Sequence, residues 1–204
     1  MTVEVGLRER KKAATRAALS AAANRLAVEL GVEHVTVEAI AAAADVSPRT
    51  FHNYFSSREE AIVASIVDWA DRLTDELEKR PADEPMWDSL QRVFLDSVDE
   101  SPDGHARLIR QLEMIKANPA VIASQLSALE TMRRRFAETI AARTGTDASI
   151  DLYPHLIAGA AGHAVKTAMD LWALGQHDRP LRDLIAEAFT LVRAGLPQPD
   201  PSRS

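Results

Sequence analysis

The sequence predicts an all-α protein of about nine helices, and three observations carry that expectation. Apolar residues recur at three- and four-residue intervals along almost the whole chain, the period of a helix buried along one face. A capping or acidic residue stands directly ahead of Pro at Ser47, Glu84, Ser101 and Asn118, which is how helices commonly begin. No segment alternates apolar and polar residues between turn signals, so nothing reads as a half-buried strand.

In chain order, the first helix carries the stripe Leu19, Ala22, Ala23, Leu26 and Leu30 and closes at Gly31, a residue suited to a helix end. Thr36 is placed to cap a second element through Val37, Ile40 and Ala44. A third starts at Ser47-Pro48, with Ser as the cap and Pro at the first helical position, where its missing N–H costs nothing. Ser57 and Glu60 can form a capping box for a fourth, whose stripe is Ile62, Ile66, Trp69, Leu73 and Leu77. The three later Pro signals open helices striped by Trp87, Leu90, Phe94 and Val98, then by Leu108, Leu112 and Ile115, then by Ile122, Leu126, Leu129, Met132, Phe136 and Ile140, the last stopping near Gly145. The eighth and ninth expected helices span roughly 150–175 and 181–196, and a Pro-rich tail over 197–204 is expected to be disordered.

With 46% hydrophobic and 26% charged residues, 204 residues can bury a real core. No apolar run approaches eighteen residues and the N-terminus is charged, so the expectation is a cytoplasmic protein without a membrane segment. The chain has no cysteine, which excludes disulfides, thiolate nucleophiles and Cys-based zinc sites. The net charge of −6 is unevenly divided: residues 1–58 hold eight Arg or Lys against six acids, whereas 59–204 hold sixteen against twenty-four. Within the first 25 residues Arg8, Arg10, Lys11, Lys12, Arg16 and Arg25 face only Glu4 and Glu9. A basic leader on an acidic protein fits a polyanion partner.

The second and third elements are about two turns each, too short to persist alone in water. They need a core, which Ile40, Val46, Phe51 and Phe55 would form with Leu26 and Leu30. That is the layout of a helix-turn-helix, whose second short helix enters the major groove. A helix starting at Pro48 turns Phe51 and Phe55 inward and leaves Arg49, Thr50, His52, Asn53 and Tyr54 outside. Arg can bridge O6 and N7 of guanine, Asn can bridge N6 and N7 of adenine, and a Thr methyl packs on that of thymine. The hydroxyls of Thr50 and Tyr54 suit phosphates, as does the start of a helix. Ser47 and Pro48, at that start, are counted with the DNA-facing set, together with Arg10, Lys11 and Lys12 of the leader.

The stretch TVEAIAAAADVSPRTFHNYFSSREEAI, residues 36–62, resembles the N-terminal signature of TetR/AcrR-type transcriptional regulators, and the match extends in register over 10–66. The resemblance implies that Thr36 and Arg58 hold phosphates, that Thr50 lies at the DNA surface and that Tyr54 occupies a phosphate-contacting position. Three residues depart from the pattern: Asp45 stands where the turn usually has Gly, Arg49 at a position often Gly, and His52 where Tyr is commonest. Asp tolerates a left-handed backbone better than most residues, so the turn is expected to survive, and Arg49 becomes the first candidate for a base contact peculiar to this protein.

The resemblance further implies a homodimer through the eighth and ninth helices, where Ala158, Gly159, Ala161 and Gly162 permit close approach, and an operator of two related half-sites in double-stranded DNA. It also implies a division into a helix-turn-helix DNA-binding domain over 1–58 and a ligand-binding and dimerisation domain over 59–196, with a small effector bound in the larger one. Trp69, Phe94, Met114, Met132, His155 and His163 are the candidate ligand-lining residues, and no cofactor is expected. His155 and His163, eight residues apart, lie about 12 Å from each other along a helix, too far to chelate one metal directly. The stretch 106–145 loosely resembles regulators credited with acyl-CoA-like ligands, but consecutive Arg133, Arg134 and Arg135 point about 100° apart and read as a solvated run. No nucleophile constellation, nucleotide loop or metal spacing marks an enzyme. The function expected is therefore a sequence-specific repressor released by an apolar or amphipathic ligand, the alternative being a DNA-binding regulator governed by a protein partner.

Overall fold

The computed structural model describes residues 6–98, 109–110, 113–114, 118–174 and 179–198. Among them every regular element is helical: α1 (Leu7–Leu30), a 3₁₀ turn (Val32–His34), α2 (Val37–Ala43), α3 (Pro48–His52), α4 (Arg58–Lys79), α5 (Met86–Asp96), α6 (Pro119–Thr144), α7 (Leu152–Ala173) and α8 (Leu181–Arg193). Eight α-helices thus have bounds among the described residues against about nine expected, and positions 109–110 and 113–114, in the stretch of the sixth expected helix, are helical too. The stripe expected there, Leu108, Leu112 and Ile115, lies outside the described residues, as do the start signal Ser101-Pro102 and positions 199–204 of the tail. The expected eighth and ninth helices are α7 and α8.

Local signals set most boundaries. The Thr36 side chain accepts a hydrogen bond from the Ala39 N–H and that of Ser47 from the Thr50 N–H, each at 3.1 Å. Asn118 Oδ1 caps α6 by accepting from the N–H groups of Ala120 and Val121 at 3.1 and 3.2 Å. Ser57 Oγ likewise accepts from the Glu60 N–H at 3.1 Å. The other half of the expected capping box is displaced by one residue, because Glu60 reaches back to the N–H and hydroxyl of Ser56 at 2.7 and 2.6 Å.

The chain forms two compact units, Met1–Ala70 with Arg107–Glu130, and Asp71–Ala106 with Thr131–Ser204. In the first, Leu19, Ala23, Ile40, Phe51, Phe55 and Ile62 are no more than 2% exposed and form one cluster with Val121 of α6. Fully burying each of the larger side chains stabilises by about 1.5–3 kcal/mol, which is what holds helices as short as α2 and α3. Leu26 and Val46 pack on its margin. Leu30 corrects the expectation: it is 51% exposed. The chain reverses at Gly31 with φ 85°, and Val32 and Val35, both buried, fill that end of the core instead.

The second unit is built around Phe94, whose ring lies 6.0 Å from Phe189 and 6.1 Å from Phe136. Half-buried Trp87 packs at 4.8 Å on Phe189 and satisfies its indole N–H on the Phe189 carbonyl. Arg143 of α6 donates to the carbonyls of Leu77 and Pro81 at 2.8 Å, supplying a cationic cap to the exposed carbonyl end of α4.

Candidate nucleic-acid interface

The turn between α2 and α3 is closed by two backbone hydrogen bonds, Val46 N–H to the Ala41 carbonyl at 2.9 Å and Asp45 N–H to the Ala42 carbonyl at 3.1 Å. This pairing requires a left-handed residue between the helices. Asp45 takes that conformation, with φ 55°, so the departure from Gly is accommodated without opening the turn.

From this turn α3 starts on Pro48 and ends at His52, after which the N–H groups of Tyr54 and Phe55 still bond the Phe51 carbonyl at 2.9 and 3.0 Å. The helical path therefore carries to Phe55, and the rings of Phe51 and Phe55, 5.7 Å apart, are sunk in the core. Arg49, His52 and Asn53 are exposed; Thr50 and Tyr54 are half-buried, Tyr54 against the core margin. Ser47 Oγ and Thr50 Oγ1 share a hydrogen bond of 2.8 Å, so these hydroxyls form one polar step at the start of α3, beside the exposed Pro48. The Thr36 oxygen accepts its cap bond and keeps an O–H for an external acceptor.

Beside α3, the exposed first turns of α1 carry Arg8, Arg10, Lys11 and Lys12. Arg8, Lys11, Lys12 and Thr15 line a cleft of about 640 Å³ together with Thr50, Asn53 and Tyr54. Arg8, named in the basic leader, and Thr15 were not counted with the DNA-facing set, although their helical phase signals them: Arg8 lies three and four residues before Lys11 and Lys12, and Thr15 four and three after them. Arg10 does not line the cleft. Arg16 leaves the basic surface and turns toward Asp68 of α4. Arg58 is also engaged internally: its Nε donates to Glu59 at 2.8 Å and its Nη1 to the Val35 carbonyl, bracing the start of α4 against the approach to α2.

The candidate ligand residues are distributed over both units. Trp69 and Met114 belong to the first, where Met114 packs on the helix-turn-helix core. Phe94, Met132, His155 and His163 belong to the second. Phe94 is deep in the aromatic cluster, Met132 is half-buried, His155 Nε2 meets the Ala148 carbonyl at 2.6 Å, and His163 is exposed. Of the Arg run, Arg133, Arg134 and Arg135 are all exposed, and Arg135 pairs with Asp71.

Two short helices at a left-handed turn, the second anchored by buried Phe residues beside a basic helix surface, define a helix-turn-helix DNA-binding protein. Comparison with known proteins narrows the class. The family model for bacterial regulatory proteins of the tetR family matches residues 19–64, and that for the MftR C-terminal domain matches 84–197. The transcriptional regulator TcmR of Streptomyces glaucescens is 35% identical over 158 residues, covering 74% of this chain and 70% of its own. Among solved structures, SmeT, the repressor of the Stenotrophomonas maltophilia multidrug efflux pump SmeDEF, superposes with a TM-score of 0.60 at 18% identity over 91% of this chain and 97% of its own. The Thermus thermophilus repressor FadR in complex with lauroyl-CoA gives 0.57 at 19% identity over 93% and 98%. The chain belongs to the TetR family of transcriptional regulators. It accordingly combines a DNA-binding with a ligand-binding domain, and none of the helices among the described residues is long and apolar enough to cross a membrane.

Proposed function

We propose that the protein is a homodimeric repressor that reads an operator through α3 and is released by a small apolar or amphipathic ligand. The observation that carries the reading is the division of α3 and the residues after it into an inward face, Phe51 and Phe55, and an outward one, Arg49, His52 and Asn53, next to the cleft lined by Arg8, Lys11 and Lys12. In this reading the exposed α3 side chains meet base edges. Thr36, Ser47, Thr50, Tyr54 and the α1 cations meet the backbone, with Arg58 contributing its remaining N–H groups. Residues 1–58 are the DNA-binding domain and 59–196 the ligand-binding and dimerisation domain.

Support for the dimer comes from α7 and α8. Leu152 and Leu156 are 75% and 65% exposed, and Leu191 is exposed on α8. Gly159 and Gly162 have open space where a Cβ would stand, so a helix of a second copy can approach there. An isologous pairing through these faces presents two α3 helices to two half-sites. Support for the ligand comes from the FadR structure, determined with lauroyl-CoA. In this reading the effector site lies in the second unit, where Phe94 and Met132 supply apolar contacts and His155 and His163 polar ones. Release requires the ligand to bind the DNA-incompetent state more tightly, and a hundredfold preference supplies about 2.7 kcal/mol. Because α4 contributes to both compact units, it is the element through which that preference reaches the DNA-binding end.

The test uses duplexes enriched from a random library by the purified protein. Arg49→Ala is expected to lower affinity for the enriched duplex by about 1–3 kcal/mol while leaving random DNA nearly unchanged. Lys11→Ala and Lys12→Ala are expected to weaken both and to reduce the salt slope by about one each. Equal losses on enriched and random DNA for Arg49→Ala refute its role as a base reader.

A further inference from the structure

Arg16 shares the phase of the buried stripe on α1 and, unlike Arg8, Lys11 and Lys12 nearer the helix start, is half-buried. It lies seven and eleven residues before Ala23 and Ala27, which are 0% and 2% exposed, and at 100° per residue these positions fall within about 20° of it. A cation on such a stripe needs a partner, since leaving it desolvated and unpaired is costly. It has two. Arg16 Nη1 donates to the carboxylate of Asp68 on α4, and the guanidinium carbon stands 5.2 Å from the centre of the Phe55 ring. The side chains of Arg16 and Asp68 are only 34% and 27% exposed.

A guanidinium is planar, so its in-plane N–H groups and its π-faces impose separate directional demands. Asp68 takes one N–H, and the guanidinium stands over the Phe55 ring. Phe55 is 2% exposed, its N–H bonds the Phe51 carbonyl, and its ring packs on Phe51, the buried anchor of α3. A leucine here would bury apolar area but would tolerate small rotations of its neighbours, whereas an ion pair against a ring does not.

We propose that Arg16 is a positioning residue for DNA reading: clamped between Asp68 and Phe55, it sets the orientation of α3 relative to the first half of α4 and so controls sequence preference without touching DNA. This rests on the DNA-reading function proposed above. It also separates Arg16 from Arg8, Lys11 and Lys12, which face outward.

The experiment compares affinities for a duplex enriched by the wild-type protein and for a scrambled duplex of the same composition, over a salt series, in Arg16→Met, Arg16→Lys and Asp68→Asn. Arg16→Met and Asp68→Asn are each expected to lower the enriched-to-scrambled ratio about tenfold or more, the equivalent of one good base contact, with the salt slope on scrambled DNA unchanged. Arg16→Lys, which keeps the charge and loses the planar face, is expected to fall between them and the wild type. An equal loss on both duplexes with a shallower salt slope in Arg16→Met makes Arg16 a phosphate contact and overturns the proposal. A lowered melting temperature with an unchanged ratio makes it merely structural and does the same. Should Arg16→Met fail to fold, the ratios of Arg16→Lys and Asp68→Asn decide on the same criteria. If the wild-type protein enriches no duplex, the DNA-reading function itself fails, a result distinct from enrichment that ignores Arg16.

Discussion

Replacing Asp45 tests how the two short helices are joined. Its φ of 55° lies in the left-handed region, where a residue with a Cβ crowds the following carbonyl at a cost of about 1–2 kcal/mol, less for Asp and Asn, whose short polar side chains bond locally. Asp45→Ala keeps the Cβ and loses the polar group, so a loss of about 1 kcal/mol is expected; Asp45→Val adds β-branching and should lose roughly twice that. Asp45→Gly removes the crowding but frees the unfolded chain by about 0.4–1 kcal/mol, so it should lie within about 1 kcal/mol of wild type. Asp45→Asn, isosteric and uncharged, separates the backbone effect from charge and should resemble wild type. The assay is urea unfolding followed by far-ultraviolet helicity, with thermal midpoints as a check, since 1 kcal/mol moves a chain of this size by about 2–4 °C. The hydrogen bonds of Val46 to Ala41 and Asp45 to Ala42 set the approach of α3, so the same order, Gly and Asn near wild type, then Ala, then Val, is expected in affinity for an enriched duplex. Asp45→Ala as stable as Asp45→Asn would falsify the left-handed-strain account.

Three further outcomes follow from the packing. Phe51→Ala removes a side chain with 0% exposure that packs on Phe55; about 3–5 kcal/mol should be lost in urea unfolding, and a loss below 1 kcal/mol would mean the site is not packed as described. Glu84, hydrogen-bonded by Arg80 and Ser89 and near Arg92, has its pKa lowered from 4.5 to about 2. Its folded pKa is depressed, so its contribution is fully present above about 4.5 and fades as pH falls toward about 2. The gap in melting temperature between wild type and Glu84→Gln should therefore narrow with acidification over that window, and a gap independent of pH contradicts the assignment. Leu156→Glu places a charge on the exposed face of α7 in both copies of the proposed dimer. The lost burial, about 1.5–3 kcal/mol per side chain, should weaken association by two orders of magnitude or more in sedimentation equilibrium, and an unchanged dissociation constant removes α7 from the interface.

Helix starts and stops were legible in the sequence because they rest on bonds within four residues. Thr36, Ser47 and Asn118 cap as their positions imply, and Gly31 closes α1 with a positive φ. Inward Phe51 and Phe55 and outward Arg49, His52 and Asn53 follow from helical phase alone. The reading was poorer at ends, where phase does not say which neighbour is still present. Leu30 shares the phase of Leu19, yet the core at that end is filled by Val32 and Val35.

The chain by itself determined the family, the order of its helices and which residues of α3 face outward, since each depends on spacing and local capping. Tertiary structure alone decided how its cations are used. Arg16 pairs with a residue 52 positions away, Arg58 with a carbonyl 23 away and Arg143 with one 66 away. It also placed Met114 on the helix-turn-helix core and Phe94 at the centre of the aromatic cluster. The physical reason is range: a cap is completed within one turn of backbone, whereas the partner of a long side chain depends on which distant helix packing brings within about 4 Å of it.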